Sequence, residues 1–96
     1  MREVRELRGD SGQVLARTEF LNGKADGLTQ AWSESGTLTL EASCREGEYH
    51  GPYRSWWDSG VPKEEGTYAS GKRVGKYRWW KQNGDLWKEH DYGGAL

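Results

Sequence analysis

The chain repeats itself at a fixed interval along most of its length. Residues 21–44, 45–68 and 69–92 align without a gap, and their shared columns hold glycine, tryptophan and glutamate. These columns are Gly23/Gly47/Gly71, Gly27/Gly51/Gly75, Gly36/Gly60/Gly84, Trp32/Trp56/Trp80 and Glu41/Glu65/Glu89. The period is 24 residues. A fixed period of this size is typical of stacked supersecondary units, each of which contacts mainly its neighbours. The repeat therefore constrains the architecture, and it favours a binding function.

One unit has the pattern of a β-hairpin. In the middle unit, Pro52–Trp57 is short and rich in aromatic residues that favour strands, and it ends at an Asp-Ser-Gly turn signal. Val61–Tyr68 is a second extended stretch, and a glycine-bounded loop follows it as far as Gly75. The sequence thus predicts strand, tight turn, strand and longer turn in every unit. The tips of the other two hairpins are predicted at residues 34–36 and 82–84.

The same register extends to both ends of the chain. Residues 4–20 are predicted to form a degenerate capping hairpin with its tip at residues 9–12, and residues 93–96 form a tail in which a fifth hairpin begins. No segment keeps the apolar spacing of a helix over ten or more residues, because glycines interrupt every stretch. We therefore expect a single all-β domain over residues 1–96: consecutive antiparallel hairpins in one elongated, twisted and curved sheet.

Composition narrows the location and the class of partner. The chain has one cysteine, so it has no internal disulfide framework, and it contains neither an N-terminal apolar stretch nor a run of about 20 apolar residues. These features predict a cytoplasmic protein. The net charge is −1, with an acidic middle and a basic last unit, and no basic stripe is dense enough to indicate nucleic-acid binding.

Strand alternation predicts two faces that both carry rings. Trp32, Trp56 and Trp80 fall on one face, and the opposite face carries Tyr53 and Tyr77. A column that is tryptophan in all three units is most simply a packing ladder between neighbouring hairpins. Aromatic residues that break the repeat are better candidates for partner contact, because repeat packing does not require them. They are Trp57, Trp79 and Trp87.

Exposed aromatic residues beside arginine are typical of binding hot spots. The partner surface is therefore predicted from the irregular aromatics and the polar residues around them, although some of these rings could instead complete a thin core. The predicted residues are Tyr53, Arg54, Trp57, Asp58, Glu64, Glu65, Tyr77, Arg78, Trp79 and Trp87.

The sequence does not predict a catalytic site. Three equivalent copies of the glutamate column indicate a structural role, since a catalytic site is singular whereas a repeated carboxylate accepts hydrogen bonds or pairs with a basic side chain. His50 and His90 lie far from each other in sequence, and Cys44, the only thiol, replaces a tyrosine in its column. We expect no enzyme activity, no metal and no cofactor.

The repeat resembles the bacterial variant of the MORN repeat. The residues that match it best are Gly71, Lys72, Gly75, Tyr77, Trp80, Gly84, Leu86, Glu89 and Tyr92. The chain departs from the pattern at Cys44, at Pro62 in the leucine column and in the opening unit. The resemblance implies consecutive hairpins in a curved sheet and a role in protein–protein contact. Small bacterial proteins of this kind are similar to the YwqK-type antitoxins, which are often encoded beside secreted toxins as their immunity proteins.

Three functions follow as hypotheses. The first is an immunity protein that binds a cognate toxin domain, with acidic side chains plugging a basic cleft (Glu46, Glu48, Asp58, Glu64 and Glu65). The second is a scaffold or self-associating module that pairs through the edge of its C-terminal hairpin. The third is binding to anionic lipid through the basic last unit (Lys72, Arg73, Lys76, Arg78 and Lys81), which is the weakest of the three because no other feature supports it.

Overall fold

The computed structural model describes residues 1–94 and shows eight β-strands. Ala95 and Leu96, which belong to the tail predicted at residues 93–96, lie outside the described residues. The strands are β1 (Arg2–Arg8), β2 (Val14–Leu21), β3 (Lys24–Trp32), β4 (Leu38–Arg45), β5 (Glu48–Trp56), β6 (Pro62–Ala69), β7 (Lys72–Trp80) and β8 (Leu86–Asp91).

All eight strands form one open sheet in chain order, and each strand pairs antiparallel with the next. The prediction of an all-β fold built from consecutive hairpins is confirmed. Residues 1–94 contain no helix, and hence none of the length and hydropathy that a bilayer crossing needs. The Cα atoms fill a slab of 35 × 31 × 10 Å. The two larger extents are similar because eight strands about 4.8 Å apart span nearly the length of one nine-residue strand.

Two kinds of turn alternate along the chain, and their order is the reverse of the predicted one. Each hairpin tip is the longer turn: in the third hairpin Gly60 N–H donates to the Trp57 carbonyl, and Trp57 N–H donates to the Val61 carbonyl. The connection between units is a tight turn of two residues, such as Ser70-Gly71, in which both residues have positive φ. This is the type I′ geometry of short hairpins. Gly75, predicted to bound a loop, therefore lies inside β7.

The pairing register assigns the side chains to two faces. We call one the tyrosine face, because it carries the five tyrosines together with Phe20, Trp79 and His90. We call the other the charged face, because one row of paired residues crosses all eight strands on it. That row is Glu6, Arg17, Gln30, Glu41, Arg54, Glu65, Arg78 and Glu89.

The thin core lies on the tyrosine face. Among the described residues, the buried hydrophobic side chains are Ala42 and Tyr77, which are 2% and 0% exposed. Ser55 is also buried, and its hydroxyl has no hydrogen-bond partner within residues 1–94. All three lie on the tyrosine face by register, so that face is the more protected one even though no second layer formed by residues 1–94 covers it.

Candidate protein-binding face

The centre of the tyrosine face is a triangle of three rings from β5 and β6. Tyr49 lies 5.3 Å from Tyr53 and 5.2 Å from Tyr68, and Tyr53 lies 5.2 Å from Tyr68, measured between ring centroids. These separations are within the range for favourable aromatic pairs. Sequence alternation and the cross-strand pairing explain the triangle, because residues 49 and 53 lie on one side of β5 and Tyr68 follows on the same side of β6.

In the next unit, the group at the same site contains two tyrosines and one arginine. Arg73, Tyr77 and Tyr92 occupy the positions that the three tyrosines occupy one repeat earlier. The Arg73 guanidinium carbon lies 4.9 Å from the centroid of the Tyr77 ring and 5.7 Å from that of Trp79. Such contacts are attractive, since the face of an aromatic ring is electronegative. The aromatic surface therefore continues across β7 and gains a positive charge there.

The preceding unit has a hollow at the same place. Ala25, Thr29 and Cys44 stand one repeat before the three tyrosines, and none of them fills the space that a ring would take. The result is an open depression of about 360 Å³, which we call the hollow. Its lining is Thr18, Phe20, Ala25, Thr29, Cys44, Gly47 and Tyr49. The Thr18 and Thr29 hydroxyls bond to each other at 2.7 Å, so the hollow presents mainly apolar surface.

Partial burial changes the acidity of the groups on this face. Burial, together with the Glu64 carboxylate, raises the pKa of Tyr53 to about 12. Burial also raises the pKa of Tyr77, whose hydroxyl donates to Glu64 Oε1 at 3.1 Å. Burial and the nearby Asp26 carboxylate raise the pKa of the Cys44 thiol. Tyr53 and Tyr77 are thus neutral phenols at physiological pH, and the Cys44 thiol is a poor nucleophile.

Side chains of the charged face form ion pairs and one hydrogen bond across neighbouring strands. Arg78 Nε lies 2.6 Å from Glu89 Oε2, and Arg54 Nε lies 3.7 Å from Glu65 Oε2. In the second unit Gln30 Nε2 donates to Glu41 at 2.9 Å. The glutamate column therefore pairs across each hairpin with the Gln30/Arg54/Arg78 column. This arrangement agrees with the structural role predicted for the three glutamates.

The structure does not bring the predicted partner-binding residues onto one surface. Four of them lie on the tyrosine face (Tyr53, Glu64, Tyr77 and Trp79) and three lie on the charged face (Arg54, Glu65 and Arg78). Trp57 and Asp58 lie at the tip of the third hairpin, and Trp87 lies on the edge strand β8 and is 64% exposed.

The residues at the hairpin tip make contacts within the sheet. The Trp57 indole N–H donates to the Trp80 carbonyl at 3.3 Å, and the Lys63 ammonium lies 4.7 Å from the Trp57 ring. Asp58 accepts a hydrogen bond from Ser35 at 2.7 Å. The Ser33 and Ser35 hydroxyls lower the pKa of Asp58. Both side chains therefore join neighbouring hairpins, and this gives each a structural role at the tip.

The tryptophan column is not the ladder of rings that the sequence predicts. Trp32, Trp56 and Trp80 stand opposite Leu38, Pro62 and Leu86 near the hairpin tips, each beside a register shift. Within residues 1–94, the ring pairs that join neighbouring strands, or β7 and the residue that follows β8, are all formed between tyrosines. The stacked aromatic column is thus on the opposite face.

The charged clusters predicted from sequence are also dispersed. Among the acidic residues, Glu64 is on the tyrosine face, Glu65 is on the charged face and Asp58 is at a hairpin tip. Glu64 is moreover occupied by Tyr77 and by Arg73, whose Nη2 lies 3.8 Å away. Of the basic residues in the last unit, Arg73 is on the tyrosine face, whereas Arg78 is on the charged face and pairs with Glu89. Neither set forms a single patch.

Most of the tyrosine face lies outside the partner-binding residues predicted from the sequence. Tyr49, Tyr68 and Arg73 belong to columns that vary between units, and the hollow is visible only as the small residues in those columns. A column-by-column comparison of side-chain size on one face would have found both features, because small residues in one unit stand where the next unit has rings.

Comparisons with known proteins bear on one repeat. The family model of the MORN repeat variant matches residues 49–70, which include all three rings of the central triangle and nearly all of β5 and β6. Comparison with curated proteins and with solved structures finds no match to the chain. Residues 1–94 contain no group of three or more His, Cys, Asp or Glu side chains arranged to hold a metal ion.

Proposed function

We propose that this chain is a protein-binding repeat module that acts as an immunity protein: it neutralises a cognate bacterial toxin domain in the cytoplasm by direct binding, without catalysis. The observation that carries the proposal is the tyrosine face. It presents half-buried rings beside Arg73 on a sheet that no second layer covers in the described part of the chain. Most domains bury an apolar sheet face against another layer, and here a partner takes that place.

The size of the face supports a protein partner. The sheet measures 35 × 31 Å, which gives each face a footprint of roughly 1,000 Å², and a stable protein complex buries about 800 Å² per partner. Tyrosine, tryptophan and arginine are the residue types enriched in binding hot spots. The tyrosine face offers both the area and the composition that such a complex needs.

The antitoxin role has narrower support. It rests on the resemblance of the repeat to that of the YwqK-type antitoxins. The MORN repeat variant at residues 49–70 and the equivalent hairpins on both sides support the coarser part of the proposal, a repeat module that binds a partner. Because the acidic residues are dispersed, the proposal assigns partner contact to the rings of the tyrosine face. An acidic plug would need those carboxylates on one surface, and they lie on both faces and at a hairpin tip.

Self-association is a second candidate because of the edge strand β8. All six residues of this strand are exposed, and among them Leu86 and Trp87 are 53% and 64% exposed. An exposed edge strand with apolar side chains is a template for strand addition. Light scattering over a range of concentrations separates the candidates, since a mass that stays monomeric contradicts association through β8.

The test of the main proposal is capture from the native host with two matched variants. Trp79→Ala removes a ring from the tyrosine face at a column where the earlier units have Ala31 and Ser55, so the sheet tolerates a small residue there. Arg54→Gln changes the charged face and serves as the control. We expect the wild type and Arg54→Gln to capture the same protein, and Trp79→Ala to capture much less of it.

The captured protein is then expressed alone and together with the chain. Toxicity that the chain suppresses supports the proposal. A captured protein that is harmless when expressed alone contradicts the antitoxin role, and capture that Trp79→Ala leaves intact contradicts the assignment of the tyrosine face. Binding to anionic vesicles with no protein captured would favour a lipid ligand and would overturn the proposal.

A further inference from the structure

Each repeat unit has a group of three side chains at the same site on the tyrosine face, so the groups can be compared from one unit to the next. If the capping hairpin at residues 4–20 is counted as the first unit, the sets in the second, third and fourth units are Ala25/Thr29/Cys44, Tyr49/Tyr53/Tyr68 and Arg73/Tyr77/Tyr92. The position is thus hollow in the first set, filled by three rings in the second, and filled by rings and a cation in the third. The face has a gradient of shape and charge that strict repetition would not produce.

The neighbouring unit shows what fits the hollow. One wall of the hollow is Tyr49 and another is Phe20, so a ring that enters meets aromatic surface on two sides, as each tyrosine of the central triangle does. The depression of about 360 Å³ has room for one large apolar side chain. Among the described residues, none of the lining side chains is charged. The guanidinium carbon of Arg5 lies 4.4 Å from the centroid of the Phe20 ring, but Arg5 is paired with Glu3 at 2.8 Å, so this end of the face has no excess charge and favours an apolar ring over a charged group.

The opposite end of the face carries an excess of positive charge. By register, the charged side chains of β6–β8 on this face are Glu64, Arg73 and Lys88, which makes two cations and one carboxylate. Arg73 and Lys88 lie over the rings of Tyr77 and Trp79, with the side chain of Arg73 41% exposed. A carboxylate that approaches these rings would complement both cations.

We propose that the tyrosine face binds an acidic segment of a protein partner, with one aromatic side chain of that segment in the hollow and its carboxylates beside Arg73 and Lys88. The two ends of the face are two units apart. Two units are four strand spacings, or about 19 Å, which an extended segment spans with about six residues. The inference rests on the proposed function, because it names the part of a partner that the tyrosine face recognises.

The test uses a fluorescein-labelled synthetic peptide in which six glycine and serine residues separate one tryptophan from three aspartates. Fluorescence anisotropy measures its binding to the full chain. We expect at least a tenfold loss of affinity when alanine replaces the peptide's tryptophan. A similar loss is expected when lysines replace its aspartates. Raising the salt concentration should weaken the binding of the peptides that keep the aspartates and should not weaken that of the lysine peptide.

Two variants test the hollow from the side of the chain. The combined substitution Thr29→Tyr with Cys44→Tyr fills the hollow with the residues that the next unit carries, and Cys44→Ala enlarges it. We expect the filled variant to bind the peptide at least tenfold more weakly and Cys44→Ala to bind it within about threefold of the wild type. Circular dichroism and thermal unfolding check that both variants fold.

Amide chemical shifts of the wild-type chain give a measurement that does not depend on any variant. Peptide-induced shifts at Ala25, Thr29 and Cys44 support the inference, whereas shifts confined to the charged face or to β8 overturn it. No binding at millimolar peptide, or equal binding by the filled variant, also overturns it. A captured toxin that binds the filled variant as tightly as the wild type would overturn this inference and leave the proposed function standing.

Discussion

Glycine 66 decides how deeply one tyrosine is buried. A Cβ atom at this position would lie 2.0 Å from Cδ2 of Tyr77, so the ring rests directly on the glycine backbone, and Tyr77 is 0% exposed. The equivalent residue one unit earlier is Ala42, and the ring beside it, Tyr53, is only half-buried. The missing methyl group at Gly66 thus lets the Tyr77 ring lie closer to the sheet than the Tyr53 ring does, and Arg73 and Trp79 cover it further.

We predict that Gly66→Ala lowers the free energy of unfolding by about 1–3 kcal/mol, because the Tyr77 ring has to rise from the sheet. Urea denaturation measures the loss. The same substitution made together with Tyr77→Ala is the control, and its additional cost should be under about 0.5 kcal/mol since no ring is then displaced. Equal costs in the two backgrounds would contradict the contact.

The tight connections between units require unusual backbone geometry. Ser70 has a φ of 49° and Glu46 a φ of 50°, whereas the first connection has asparagine, Asn22, at the same position with a φ of 51°. Asparagine tolerates this left-handed region better than serine or glutamate does.

Ser70→Asn should therefore stabilise the chain by about 0.5–1 kcal/mol, and Ser70→Val should destabilise it because a β-branched residue is strained at positive φ. The midpoint of urea unfolding is the measurement. Opposite signs for the two variants are expected, and a stabilising Ser70→Val would show that the connection is not a type I′ turn.

At the scale of elements, the charged row fixes how neighbouring strands align. Arg54 on β5 stands opposite Glu41 on β4 and Glu65 on β6. A shift of one residue between strands would put the row on the other face, so charge and apolar pattern specify the same register. Arg54 and Glu65 are largely solvent-exposed, and exposed pairs contribute little to stability. We infer that the row contributes more to register than to stability.

Arg54→Glu should destabilise the sheet by about 1 kcal/mol at low salt, because it places three carboxylates side by side. Arg54→Gln, which removes the charge alone, should change the stability by less than about 0.5 kcal/mol. Denaturation curves with and without added sodium chloride test both expectations. If salt fails to reduce the cost of Arg54→Glu, repulsion across the strands is not its cause.

The hairpins could be predicted from the sequence, but the lengths of their turns could not. Glycine at positive φ occurs in both kinds of turn, at Gly60 in a tip and at Gly71 in a connection. The Asn-Gly pair at residues 83–84 is a strong signal for a two-residue turn, yet it occupies a longer tip in which only Gly84 has positive φ. Glycine or an Asn-Gly pair at a turn therefore does not by itself indicate how many residues the turn contains.

At the scale of the whole molecule, a single-layer sheet places its core beside water. A phenol that is half-buried in this sheet stays there only while it is neutral. Burial raises the pKa of Tyr53 to about 12, whereas an unfolded tyrosine ionises near 10. Above pH 10 the unfolded chain therefore releases protons that the folded chain keeps. By linkage, stability falls as the pH rises from about 10 to 12.

Absorbance at 295 nm measures the ionisation of the tyrosine side chains directly. In the native chain, part of the tyrosine ionisation should be delayed beyond pH 11, and in urea all of it should centre near pH 10. The urea midpoint should be lower at pH 11 than at pH 9, and Tyr53→Phe should reduce this difference. A native titration that coincides with the unfolded one would contradict the burial of the rings.

The candidate site could be predicted only in part from the sequence, because the sheet has two exposed faces. Alternation correctly placed Tyr53, Tyr77 and Trp79 on one face. It also correctly placed Arg54 on the other face, but the predicted partner surface nevertheless combined residues of both faces, Glu65 among them, because it grouped them by their proximity in the chain. In a single-layer sheet, consecutive residues face opposite sides, and each side meets solvent.

The central claim is that a protein partner covers the tyrosine face. Hydroxyl-radical footprinting of the chain, free and bound to the captured partner, tests it most directly because tyrosine and tryptophan both report. The account predicts protection of Tyr49, Tyr68 and Trp79 in the complex and no change at Trp56 on the charged face. Protection of Trp56 or Trp87 with unchanged labelling of the three tyrosine-face residues would contradict it.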